Sequence, residues 1–241
     1  MLLYTPAARK SSQNIRADIE LIITQIRRAF SASALGGNFS LLVQLVHSGE
    51  VNYVEPPPPD GTMAKDLDLL TGKTDPDNPV FKQIRALRDE RRAHVVHMLI
   101  NKRPNDGCGI GWGPAAQMRA VAINRTFSVS DRQCALGNFS AVHEIGHNLG
   151  LHHDRYVVPK AKVGPEEFNY GFINMQEGVR SLMAYTDQCT AEKKSCRRVL
   201  QLSSPNIRIG GTPFGRPIRD AMAANNVEVL CRSAPMATKL R

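Results

Sequence analysis

No uninterrupted apolar run in the 241-residue chain approaches the roughly 20 residues that a membrane span requires, so nothing in it reads as membrane-embedded. The start, MLLYTPAARK, lacks the basic flank and long apolar stretch of an export signal; a Met directly before a core-like strand suggests that upstream sequence has been trimmed. Aromatic residues make up only 6% of the chain, with a single Trp, and the five cysteines include no C-x-x-C pair. That excludes a dense disulfide scaffold. Acidic residues are outnumbered 22 to 31 by Lys and Arg, for a formal charge of +9. The basic residues fall in short scattered pairs (Arg27-Arg28, Arg91-Arg92, Lys193-Lys194, Arg197-Arg198) without interleaved aromatics or finger spacing. A solvated basic surface explains this better than a nucleic-acid partner. What is present is 42% hydrophobic content, enough for one well-buried domain or two small lobes sharing a cleft.

Up to about residue 150, strand-like and helix-like patterns alternate. Leu2 to Tyr4 reads as a short strand, and Ser11 or Ser12 can cap a helix to about Phe30 with isoleucines on one stripe. Phe39 to Val46 reads as a second strand, EPPPPDG as a surface loop, Met63–Leu70 and Val80–Arg92 as helices, His94–Ile100 and Ala120–Asn124 as further strands. The glycines of GCGIGWG, residues 107 to 113, mark a loop or edge strand that another backbone approaches closely. Beyond Leu151 the texture is irregular until a helical period returns over Ile218–Leu230. The reading is α/β, with an upper lobe over 1–150 and a loop-rich lower lobe over 151–241. Cys189 with Cys196 would close a short loop, and Cys108 with Cys134 would staple the segment leading to the histidines, leaving Cys231 over. Spacing alone does not fix connectivity, but two bridges would point to an oxidising compartment.

HEIGHNLGLHHD, residues 143 to 154, holds His143, His147, His152 and His153, four of the chain's seven histidines. On a helix capped by Asn138 or Ser140, residues four apart share a face, so His143 and His147 can direct two imidazoles at one point. Glu144 can then reach a water on a metal held there. Gly150 supplies the positive-φ position that breaks the helix and turns His153 back as third ligand. Three imidazoles leave a fourth tetrahedral position open, the mark of a catalytic rather than a structural zinc ion. Such an ion acidifies its water, and Glu144 would act as general base, which predicts peptide-bond hydrolysis without a covalent intermediate. His152 is read as pointing outward; His47, His94 and His97 are read as structural.

The pattern H-E-x-x-H-x-x-G-x-x-H, present as His143, Glu144, His147, Gly150 and His153, resembles that of the metzincin metallopeptidases. Their methionine turn is matched by Ser181-Leu182-Met183-Ala184-Tyr185, with Met183 as a soft floor beneath the imidazoles. Asp154 is similar to the reprolysin-type variant, in which this residue is a structural anchor. YTPAAR, FSVSDRQCALGNFSAVHEIGH and SSPNI resemble the bacterial peptidyl-Asp metalloendopeptidase group over nearly the whole chain.

The resemblance implies a single metzincin-like catalytic domain over 1–241: a twisted five-stranded mixed sheet with two long helices, the active-site helix, and a C-terminal helix. It also implies one Zn2+ ion and a secreted, monomeric endopeptidase that acts on proteins or peptides and cuts on the amino side of aspartate. Tyr185 stands where astacin-like relatives place a tyrosine that nears the metal or the oxyanion; a tyrosine packed under the helix is the alternative. Gly111 and Trp112 are candidates for the rim that pairs with substrate, with a half-exposed structural Trp as the alternative. An aspartate pocket needs a cation, and Arg180, Arg197 and Arg198 are the candidates, with solvated surface charges as the alternative. The competing functions are a broad-specificity reprolysin-like protease and a non-enzymatic, zinc-stabilised binding module.

Overall fold

A computed structural model describes residues 1–31, 34–37, 39–101, 106–113, 126–158 and 168–238. Through the first part the elements run β1 (Leu2–Tyr4), α1 (Pro6–Lys10), α2 (Ile15–Ala29), β2 (Ser48–Glu50), α3 (Met63–Thr71), α4 (Pro79–Glu90), β3 (Val96–Ile100), β4 (Gly109–Gly111), β5 (Phe127–Asp131), α5 (Arg132–Gly137) and α6 (Ser140–Asn148). The rest comprises β6 (His152–Asp154), β7 (Tyr170–Gly171), β8 (Ile173–Asn174), β9 (Val179–Arg180), α7 (Asp187–Ala191), β10 (Arg197–Arg198), β11 (Ser204–Ile209), β12 (Thr212–Phe214) and α8 (Asn226–Thr238). No helix of the described residues is long and apolar enough to cross a membrane.

The main sheet is five-stranded and mixed, in the order β2-β1-β3-β5-β4. All pairings are parallel except that of β4, which runs antiparallel to β5 along the edge. Strand alternation sends Leu3, Val96, Met98, Ile100, Phe127 and Val129 into one core with α3 and α4. Leu2 and Leu99 face the other core, with α2 and α6. On that second face His97 lies between Ser128 and Ser130, its two ring nitrogens each 2.8 Å from a hydroxyl oxygen. Arg132 ties α5 to α2 through a 2.7 Å ion pair with Asp18, which fixes the approach to α6.

Several expectations are corrected. Phe39–Val46 is not a strand. Phe39, Leu41, Val43 and Leu45 do pack on the core at alternate positions, but the sheet edge beside β1 is taken by Ser48–Glu50. Thr5 and Pro6 open a separate helix, α1, so Ser11 ends that helix and Asn14 caps α2 by accepting from the Ala17 N–H at 3.2 Å. The last helix starts at Asn226, later than Ile218, because the Asn225 side chain caps the Glu228 N–H at 3.1 Å. The strand at His94 begins only at Val96, and the segment Ala120–Asn124 lies outside the described residues. Both expected disulfides are present, and Cys231 is free and exposed.

Candidate metal centre

α6 carries His143, Glu144 and His147 on one stripe, packed across β5 and β4. Neither expected residue caps it: Asn138 ends α5, Ser140 is already the first helical residue, and Phe139 enters the helix in left-handed conformation with no side-chain cap. Gly150 has φ +97°, where a side chain would be strained, and the chain reverses there into β6. That brings His153 back over the helix. Its Nε2 lies 3.2 Å from that of His143 and 2.8 Å from that of His147.

The outer nitrogens orient these rings. His143 Nδ1–H donates to Leu182 O at 2.9 Å, and His147 Nδ1–H donates to Leu151 O at 2.8 Å. With the protons on Nδ1, both rings direct lone pairs from Nε2 at the point that His153 Nε2 also faces. Three imidazole nitrogens converge on one point, and the three residues form a group able to hold a metal ion. Burial, helped by the neighbouring imidazoles, holds their pKa values low: His143 well below its usual range, His147 at about 4 and His153 at about 2. The rings are therefore neutral near pH 7, the state that binds metal.

Beneath them Met183 is fully buried. A Cβ on Gly146 would come within 2.7 Å of its Sδ, so this glycine admits the methionine under the helix. Asp154, also buried, joins the third histidine to the methionine turn: its Oδ2 accepts from Tyr185 N–H at 2.8 Å and its Oδ1 from Tyr156 N–H at 3.0 Å. His152 is not in the cluster, and it is not directed outward either. Its ring stacks on Tyr170 with centroids 6.2 Å apart.

Glu144 is buried, and desolvation pushes its pKa up to about 8, against the field of Arg198. Its carboxyl lies against the edge strand: a Cβ at Gly109 would sit 2.6 Å from Oε1, and one at Gly111 would sit 2.9 Å from the Glu144 carbonyl oxygen. Asn148 adds a tether that the sequence reading missed, its Nδ2 donating to Trp112 O at 3.1 Å and Phe127 O at 3.0 Å. The only sequence signal for it was an amide one residue after the second histidine.

A family model for Metallo-peptidase family M12B, Reprolysin-like, matches residues 4–201. The chain belongs to this reprolysin-like metallopeptidase family. Curated relatives of this M12B metallopeptidase include the peptidyl-Asp metalloendopeptidases of Stenotrophomonas maltophilia strain K279a, 28% identical over 90% of this chain and 46% of that protein, and of Pseudomonas aeruginosa, 28% identical over 77% and 31%. That of Xanthomonas campestris pv. campestris is 25% identical over 90% and 45%. The chain thus spans less than half the length of the curated relatives it matches. A solved structure described as that of a chaperone-substrate complex matches with TM-score 0.68 and 17% identity, covering 100% of this chain and 38% of that one, which shows the shared fold.

In this reprolysin-like chain Tyr185 is partly exposed, its ring centroid 4.1 Å from that of His153. Gly111 and Trp112 lie on the edge strand and just after it, with Lys73 Nζ 4.9 Å from the indole centroid. The three arginines separate. Arg197 is exposed, whereas Arg180 and Arg198 are partly buried and both donate to Ala184 O, beside Met183.

Proposed function

We propose that this chain is a zinc-dependent endopeptidase that cuts on the amino side of aspartate. The observation that supports it best is the convergence of the three Nε2 atoms of His143, His147 and His153 beside a buried Glu144 whose carboxyl lies against the edge strand. A tris-imidazole donor set of this kind suits Zn2+ with one open position. When bound, the ion supplies Lewis acidity, polarising the scissile carbonyl and acidifying the attacking water. Glu144, ionised once a cation at the three histidines offsets its desolvation, would take the proton from that water and deliver it to the leaving amine. Tyr185, whose ring centroid lies 4.1 Å from that of His153, donates its phenolic O–H to the developing oxyanion in this reading, and desolvation, which raises its pKa, keeps the phenol protonated. The edge strand β4, with Gly111 and Trp112 just after it, receives the substrate backbone by strand addition.

The aspartate preference takes its support from the names of the relatives. The two disulfides suit an oxidising compartment, and we read the protein as secreted and monomeric, acting on proteins or peptides rather than on nucleic acid. The test is mass-spectrometric mapping of cleavage sites in a denatured proteome, with zinc, with a chelator and with Glu144→Gln. Cuts before aspartate that both controls abolish are expected. Chelator-sensitive cuts without that preference would favour the broad-specificity reading, and zinc binding without any cuts would favour the binding module.

A further inference from the structure

Arg198 ends β10, which pairs in parallel with β9. Its Nη1–H donates to Asn138 O at 3.0 Å and its Nη2–H to Ala184 O at 3.3 Å. Asn138 stands just before the histidine helix, and Ala184 stands between Met183 and Tyr185. The guanidinium therefore spans from the N-terminal end of α6 to the methionine turn. Its Nε is shielded from solvent and has no acceptor among the described residues. A guanidinium has five N–H donors, and here two of its hydrogen bonds go to neutral carbonyls. Arg180 donates to the same Ala184 oxygen and adds a second positive charge, but Asp154 and Asp187 lie in its own field. Around Arg198 the compensating groups are those of the cleft itself, Glu144 and Tyr185.

A second observation comes from the helix. Ser140 is one turn N-terminal to Glu144 and shares the stripe of His143 and Glu144. It is 2% exposed, and its Oγ has no hydrogen-bond partner among the described residues. The helix above it starts without a side-chain cap, and its N-terminal dipole favours an anion. An unspent serine hydroxyl and an uncapped helix start thus lie within two residues of Asn138, whose carbonyl holds the Arg198 guanidinium.

We infer that Arg198 and Ser140 form the pocket that receives the carboxylate of the substrate residue just after the scissile bond, and so set the preference for aspartate there. This rests on the reading of the chain as an endopeptidase that cuts before aspartate. The direction follows from the chemistry. Glu144 protonates the leaving amine, so the side chain borne by that amine's own residue lies next beyond Glu144, toward the N-terminal end of α6 where Arg198 is held on Asn138 O and Ala184 O. Held at two nitrogens, the guanidinium cannot swing to follow a longer side chain, which favours Asp over Glu.

The test uses peptides that differ only in the residue after the cleaved bond (Asp, Glu, Asn, Ala) with the zinc-loaded protein, Arg198→Gln, Arg198→Lys, Ser140→Ala and Arg180→Gln. The ratio of kcat/KM for Asp over Asn, taken on one preparation, is independent of the folded fraction. Arg198→Gln should lower that ratio about 100-fold, the effect of removing one partner of a buried charge pair. Ser140→Ala should lower it about tenfold, and Arg198→Lys should lower it less than Arg198→Gln. Arg180→Gln should leave the ratio nearly intact. An unchanged ratio in Arg198→Gln, or in Ser140→Ala and Arg198→Lys if the first variant does not fold, would overturn the pocket. A parent protein that cleaves all four peptides alike would overturn the aspartate reading itself, and the pocket with it.

Discussion

Replacing Gly109 with alanine should separate the proposed base from the metal. A Cβ at Gly109 would stand 2.6 Å from Glu144 Oε1, 2.8 Å from Cγ and 3.0 Å from Cδ. Ordinary carbon contacts are about 3.5–4.0 Å, so the carboxylate must retreat by about 1 Å. Only the end of a side chain has to move, and Gly109 does not adopt the left-handed φ that would add backbone strain. Overpacking of about 1 kcal/mol is then partly offset by the lower entropy of the unfolded chain, about 0.4–1 kcal/mol. Net stability should barely change. A misplacement of about 1 Å at a reacting group lowers turnover about 100-fold, or about 2.7 kcal/mol in the barrier. The assay is kcat on one fluorogenic peptide, with zinc content measured by mass spectrometry and the thermal midpoint recorded alongside. A Gly109→Ala protein that is folded, zinc-replete and within about threefold of the parent kcat would refute the placement of Glu144 as base.

Four further outcomes are expected. Asp154→Ala should destabilise the protein by about 3 kcal/mol, because two hydrogen bonds to a buried carboxylate are lost, and Asp154→Asn by less; urea unfolding with a zinc titration checks both. Removing the metal with a chelator should lower the thermal midpoint, and added zinc should raise it with concentration; a midpoint indifferent to zinc would count against the site. Burial holds the His97 ring at about 3 against the usual 6.5, so the fold keeps it neutral. The unfolded chain takes up that proton first as pH falls, and stability should be whole above about 6.5 and drain by up to about 1.4 kcal/mol per pH unit toward pH 3; a His97 NMR signal titrating near 6.5 would contradict this. Gly146→Ala should destabilise by about 1–3 kcal/mol through overpacking, because Met183 leaves no room for a Cβ; calorimetry measures it.

The histidine helix was legible because its chemistry is dense and local: ligand spacing, the Gly150 break and the methionine turn all lie in short stretches. The misreadings came where a neighbour decides the outcome. Phe39–Val46 has strand-like alternation, yet becomes irregular because the edge beside β1 is filled by β2. Serines near residue 11 looked like caps until α1 claimed them. Asn148 tethers the edge strand through two carbonyls that only tertiary packing brings to it. Arg197 and Arg198 are indistinguishable as letters, and the strand they form turns adjacent residues to opposite sides, leaving one exposed and one bonded inward.

The Cys189–Cys196 bridge lies wholly between β9 and β10, closing α7 into a covalent loop of its own. The stretch behaves as a cassette, anchored at both ends by strand pairing and sealed within itself. Its length and sequence can change without touching the three histidines. Exchanging residues 187–198 between family members is therefore a transplant that moves the wall of the cleft and leaves the metal where it was.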